Sequence, residues 1–227
     1  MLLGIKNIES IIGLLLLTFV YLISITPAGC FRAWVGKKMG DDTAEEFGFL
    51  TLNPFAHINL FGLLILFLSF DTRIILWRDM RIPIYTGFGW GQIIPLNPVN
   101  IGGRHRFLKL AAVLFSNSFI FFCIPILALL FFKLVLLFTS PDVIGLTPSM
   151  LLATQLYRAC MSLNVWLLLV ESMISAVVLM VFYYDRELAD RAYYVIVFAP
   201  IVILVIFGGI LSFYVEQAIT YVGNLIL

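Results

Sequence analysis

Apolar positions in this chain come in long unbroken stretches, with none of the alternation of a half-buried strand. Ile11–Phe31, Phe47–Phe70, Leu110–Phe132 and Ala192–Val215 contain no Asp, Glu, Lys or Arg, and Ala159–Tyr184 is interrupted only by Glu171. About 20 apolar residues suffice for a membrane-spanning helix. In lipid the backbone must satisfy itself, which leaves helices or closed barrels, and unbroken runs select helices. The second run differs. Phe47–Leu52 reads as strand-like, Asn53-Pro54 breaks the chain, and a helix starting near Pro54 leaves Phe55–Phe70 as a short apolar segment.

Composition turns this pattern into a class. Of 227 residues, 62% are hydrophobic and 12% charged, against about 45–50% and about 25% in soluble domains. A chain this short cannot hide so much apolar surface from water, so an ordinary soluble enzyme and a disordered chain are both excluded. The formal net charge of +1 gives no electrostatic case for a nucleic-acid partner. Cys30, Cys123 and Cys160 lie in apolar runs and form no CxxC, which argues against a disulfide framework or a zinc knuckle.

Basic residues suggest orientation. Arg73, Arg78, Arg81, Arg104, Arg106 and Lys109 place Asp71–Lys109 on the cytoplasmic side by the positive-inside rule, with Arg186 and Arg191 able to join them. Ser140–Tyr157 has no basic residue and fits outside. Placing Arg32, Lys37 and Lys38 inside as well requires Phe47–Phe70 to enter the bilayer and return on the same side. The expected fold is an all-α multi-pass membrane protein. It is a single domain over 1–227, a bundle of four or five transmembrane helices with a re-entrant segment and a small cytoplasmic-side β element. Phe47–Asn53 and Phe88–Pro95 are the strands expected to pair. Pro27-Ala28-Gly29-Cys30 superficially matches a secretory or lipoprotein cleavage site, but the Pro three residues before Cys30 fits poorly and Leu2–Ile25 is long for a signal core.

Two polar, Gly- and Pro-rich loops are unlike generic linkers: Met39–Asn59 and Phe88–Asn100. Gly40, Asp41, Thr43, Ala44, Gly48, Leu50 to Pro54, Ala56 to Ile58 and Gly62 follow one pattern in order. Phe88 to Trp90, Pro95, Asn97 and Pro98 follow a second, and Ser116-Asn117 a third. Together they resemble the bacterial branch of the site-2 protease family of intramembrane zinc metalloproteases, well over about residues 10–120 and weakly beyond. The resemblance implies a multi-pass protein of the bacterial inner membrane, with lipids and transmembrane segments of other proteins as partners.

That family's chemistry rests on H-E-x-x-H: two histidines on one helical face bind zinc and the Glu activates water. Counting back from Gly40-Asp41 places these five positions on Ala28-Gly29-Cys30-Phe31-Arg32. The histidines are replaced by Ala28 and Arg32, and the base by Gly29. Anchoring the family's later Asp motif on Leu163-Asn164 puts its third ligand on Leu179. Ala and Gly offer no lone pair, and a guanidinium repels a dication. The expectation is a pseudoprotease that needs no zinc and holds transmembrane or unfolded membrane segments without cleaving them. An active zinc endopeptidase and a transporter or channel subunit are the alternatives.

Other chemistry is sparse. His57 reads as a helix-start histidine bonded to the Asn53-Pro54 turn, with metal or proton binding the alternative. His105, between Arg104 and Arg106, suits a headgroup contact. No G-x-S-x-G occurs, and the serines in apolar runs suit helix packing. Glu171 is costly inside a bilayer, which predicts a partner. The resemblance places it near Arg32, so an Arg32–Glu171 ion pair in the vacated metal site is expected. The competing arrangement is a snorkelling Arg32 with Glu171 protonated or bonded to Ser175.

Overall fold

In a computed structural model of the chain, residues 8–77, 80–138, 148–184 and 217 are described. Three helices are long and apolar enough to cross a membrane: Ser10–Met39, Arg106–Val135 and Leu152–Phe182. They are the bodies of α1 (Ile8–Met39), α5 (Arg106–Leu137) and α6 (Pro148–Tyr184). Between α1 and α5 come α2 (Thr43–Glu46), α3 (Pro54–His57), α4 (Leu60–Leu68), β1 (Asp71–Trp77) and β2 (Met80–Thr86). The uncharged run Ala192–Val215 and the turn Asp185–Arg191 lie outside the described residues, as does most of the segment before Pro148.

The helices pack through small and apolar side chains. Leu17, Val20, Tyr21 and Ile25 of α1 meet Leu66 of α4, Phe121 of α5 and Leu163 and Leu167 of α6 in one core. Polar side chains inside the bundle bridge helices where lipid offers them no partner. Ser175 donates to the carbonyl of Leu114 at 2.7 Å, Ser172 to Ser118 at 3.1 Å, and Asn164 to Ser24 Oγ at 2.9 Å. Large apolar side chains such as Phe19, Leu127 and Leu130 point outward, as a lipid-facing surface requires.

The segment 47–70 departs from a simple span. Asn53 caps α3 by accepting from Phe55 N, with Pro54 at the first helical position. Asn59 caps α4 by accepting from Gly62 N at 2.9 Å. With nine residues, α4 is only about 14 Å long, too short for a hydrocarbon layer of about 30 Å.

After α4 the chain turns and comes back along it. Ser69 Oγ accepts from Phe88 N at 2.9 Å. Gly87 packs against Leu17 and Leu66, Gly89 against Gly62 and Leu66, and Gly91 against Ile25 and His57. The approach at Gly62 is so close that a Cβ there would overlap the Trp90 backbone.

One expectation needs correction. The two-stranded sheet is β1–β2, antiparallel with Asp71 opposite Thr86 and Trp77 opposite Met80. Phe47–Asn53 does not pair with Phe88–Pro95. Gly48 turns the chain at φ 80, and the Thr51 carbonyl is taken by His57 Nε2 at 2.8 Å, so no free ladder edge remains there. The bridge that does form joins Ile58 to Gly91, with Gln92 N donating to the His57 carbonyl at 2.7 Å.

The stretch from Gly87 to Asn100 runs along most of the length of α1. Gly87, just after β2, meets Leu17 in the N-terminal half of α1. Asn97 and Asn100 bond Asp41, just past the C-terminal end of α1. At 1.5 Å per residue those levels are about 30 Å apart along the helix.

Candidate functional site

Positions 28, 29 and 32 occupy one face of α1, turned toward α5, α6 and the returning 90–96 segment, around a cavity of about 60 Å³. Ala28, Gly29, Arg32, His57, Asn117 and Glu171 all line it. Arg32 Nη1 donates to Glu171 Oε1 at 2.8 Å. Asn117 Nδ2 donates to the same oxygen at 2.6 Å. One carboxylate oxygen on α6 thus ties α1 and α5 together. Both cavity-facing donors are well shielded, Arg32 at 8% and Asn117 at 7% exposure, so the bonds act in a low-dielectric setting where a charge-assisted pair is strong.

His57 fills the space over Gly29. A Cβ added at Gly29 would overlap the imidazole, Nδ1 first. The ring is 1% exposed, tilted against Phe49 at 5.9 Å, and bonded through Nε2 to the Thr51 carbonyl. A carbonyl only accepts, so Nε2 carries a proton. Among the described side chains Nδ1 has no partner. The bonded partner is the Thr51 carbonyl, two residues upstream of the expected Asn53-Pro54 turn.

Leu179 packs beside the Val35, Ile101 and Val178 cluster. The α6 carboxylate that faces Arg32 is Glu171, two helical turns earlier. α6 runs unbroken from Pro148 to Tyr184.

The loop motif residues have a separate task. Asp41 is 1% exposed. Its carboxylate accepts from Thr43 Oγ1 at 2.6 Å and Thr43 N at 3.3 Å, from Asn97 N at 2.9 Å and from Asn100 Nδ2 at 3.0 Å. Gly40, at φ 102, makes the turn that aims it. Asn97 Oδ1 accepts from Val99 N at 3.1 Å, and the Pro98 carbonyl takes Arg106 Nη2 at 2.7 Å, which fixes the entry to α5. The Trp90 carbonyl accepts from Tyr21 Oη at 2.9 Å, and Pro95 follows the buried Ile94 in the same stretch. His105, exposed and at φ 66, precedes α5.

These residues do not fit a zinc ion. Tetrahedral zinc needs three or more N, S or O donors. Here the α1 face offers a methyl, a hydrogen and a guanidinium, and the facing carboxylate is engaged by that guanidinium. Among the described residues no three His, Cys, Asp or Glu side chains converge on a metal-sized point.

Sequence reasoning did not find the His57–Gly29 contact, the shared Glu171 oxygen or the Asp41 clamp. Each had a faint signal: a small residue in place of a large one beside a retained histidine, an Asn one helix away from a lone carboxylate, and two loop motifs retained together.

Comparison with known proteins gives a partial similarity. Over 103 residues, 44% of this chain, the sequence is 34% identical to "Putative zinc metalloprotease YwhC" of Bacillus subtilis (strain 168). The chain spans about a third of that relative's length, 36%. No family model matches the chain, and no solved structure does.

Proposed function

We propose that this chain is a site-2-protease-like protein of the inner membrane that binds transmembrane or unfolded membrane segments without cutting them. The observation that carries the reading is the Arg32–Glu171 pair at 2.8 Å, a fixed cation where a zinc site would need neutral or anionic donors. Ala28, Gly29 and the His57 ring packed over Gly29 support it, because position 29 itself offers no carboxylate to activate water. The partial likeness to a protein named as a zinc metalloprotease supports the scaffold part of the reading. In this reading the chain is one domain over 1–227, Ala192–Val215 adds a fourth span, and Phe47–Phe70 enters the bilayer and returns on the same side. The returning 90–96 segment is the edge along which an extended client would lie.

The test is metal content and cleavage together. Protein purified in mild detergent is expected to carry far less than one zinc per chain. It should leave reconstituted single-span substrates intact with or without chelator. One zinc per chain that is lost in His57→Ala, or chelator-sensitive cleavage, would overturn the reading. A crosslinker at Trp90 or Leu96 is expected to capture the single-span substrate in vesicles, and failure to capture it would remove the client-holding half.

A further inference from the structure

Glu171 has an oxygen to spare. Arg32 Nη1 and Asn117 Nδ2 both donate to Oε1, and no described residue donates to Oε2. The unpartnered Arg32 Nε and Asn117 Oδ1 of the same cluster are sealed inside the protein, out of reach of any guest. Oε2 is not sealed, and Glu171 keeps 20% of its side chain exposed, against 10% for Arg32. That exposed part opens onto the cavity of about 60 Å³, because Leu167, Glu171, Ile174 and Val178 form one row on α6 and all line it. The chain has a hydroxyl of its own one turn on, but Ser175 donates it to the Leu114 carbonyl at 2.7 Å. The cavity walls around the carboxylate are apolar, with Ile25, Leu114 and Phe121 among them. An ionised oxygen in such a setting is a strong acceptor.

We propose that Glu171 Oε2 is a docking point for one hydroxyl carried by a client membrane segment, a Ser or Thr side chain at mid-span. The hydroxyl donates its proton to Oε2, and its short apolar stem lies against the cavity wall. A hydroxyl suits one open acceptor. It has one proton to give and no second polar group to satisfy, whereas an amide also brings a carbonyl and another N–H. An ammonium would bring a second cation close to Arg32, where low dielectric makes repulsion costly. In its own helix a Ser or Thr hydroxyl bonds the carbonyl one turn back. The exchange favours the site, because a carboxylate accepts a hydrogen bond more strongly than a neutral carbonyl does. This rests on the client-holding reading above and adds what is recognised: a span with a central hydroxyl over an all-apolar one.

The experiment uses the full chain in lipid vesicles and three synthetic single-span peptides, identical except for Ser, Ala or O-methylserine at the central position. Binding is followed by energy transfer between labelled partners. The Ser peptide is expected to bind about fivefold tighter than the Ala peptide. O-methylserine keeps the oxygen and lacks the proton, so its peptide is expected to bind like the Ala one. Glu171→Gln gives a second readout. Arg32 and Asn117 both donate, so they hold the Gln carbonyl and turn its NH2 to the cavity, and the Ser-to-Ala ratio is expected to fall to about one. Equal binding of the Ser and Ala peptides by the native protein overturns the hydroxyl site and leaves client holding intact. A preference shared by O-methylserine, or one that survives Glu171→Gln, also overturns it. Should the Gln variant bind neither peptide, the O-methylserine comparison decides alone. Binding of no peptide by the native protein overturns both readings.

Discussion

The two ends of the polar interior are built differently. At the α1 terminus, Asp41 accepts four hydrogen bonds that join Thr43, Asn97 and Asn100. About two and a half turns away, positions 28, 29 and 32 present a methyl, a hydrogen and a guanidinium. The difference separates two jobs that sequence motifs usually mix. Asp41 organises backbone, so removing it would leave buried donors without an acceptor. The 28–32 face lines a cleft, in which Arg32, Glu171, Asn117 and His57 pack together.

The strongest way to break this contrast is at the ion pair. Arg32→Leu is expected to destabilise the protein by about 3–5 kcal/mol, because Glu171 would remain as a largely shielded carboxylate without its cation. Arg32→Leu with Glu171→Leu is expected to recover most of that loss, since two apolar side chains replace the pair and no charge is stranded. Apparent melting temperature in detergent checks both. Equal loss in the single and double variants would mean that packing, not charge, dominates at this point.

Asp41→Ala comes next. It leaves the Thr43 hydroxyl, Asn97 N and Asn100 Nδ2 without their acceptor, at an expected cost of about 2–3 kcal/mol. The 40–59 and 95–105 segments should become more sensitive to protease. If Asp41→Ala proves more damaging than Arg32→Leu, the order proposed for the two regions is reversed, and the clamp rather than the cleft holds the bundle.

What the sequence discloses differs between the same regions. The long helices α1, α5 and α6 were legible because the uncharged runs are longer than a bilayer is thick. The start of α3 was legible because Asn53-Pro54 is both cap and helix opener. The β1–β2 hairpin was not. Its Arg-studded stretch reads as a cytoplasmic loop, and the positive-inside rule says nothing of backbone pairing. The strands expected at 47–53 and 88–95 failed for a local reason: a side chain, His57, takes the Thr51 carbonyl a ladder would have needed. At the site, the absence of side-chain donors at positions 28 and 29 could be read by counting from Gly40-Asp41. The Arg32–Glu171 pair was among the expectations, whereas Asn117 as second donor to the same oxygen was not, because it depends on how α5 packs against α6.

Gly29→Ala sharpens the cleft side. The added methyl meets the His57 ring, which is held by Thr51 on one side and Phe49 on another and has little room to yield. An expected cost of about 1–3 kcal/mol follows from overpacking. Pairing it with His57→Ala should relieve most of that cost, giving a positive coupling in a double-mutant cycle. Additive losses would show that the ring moves aside freely and that Gly29 is not fitted to it.

The smallest effect is expected at Asn53, on the loop side. Its side chain accepts from Phe55 N at 3.1 Å and opens a helix of only four residues, Pro54–His57. Asn53→Ala removes a cap worth about 1 kcal/mol. That cap matters beyond its own turn, because α3 ends in the residue whose ring covers Gly29 and whose carbonyl receives Gln92 N. The two regions are therefore joined through His57. A cap lost at Asn53 should loosen the ring and lower the coupling measured between Gly29 and His57, while the Arg32–Glu171 coupling stays unchanged. If the cap variant alters both couplings equally, loop and cleft behave as one unit and the division between the two regions does not hold.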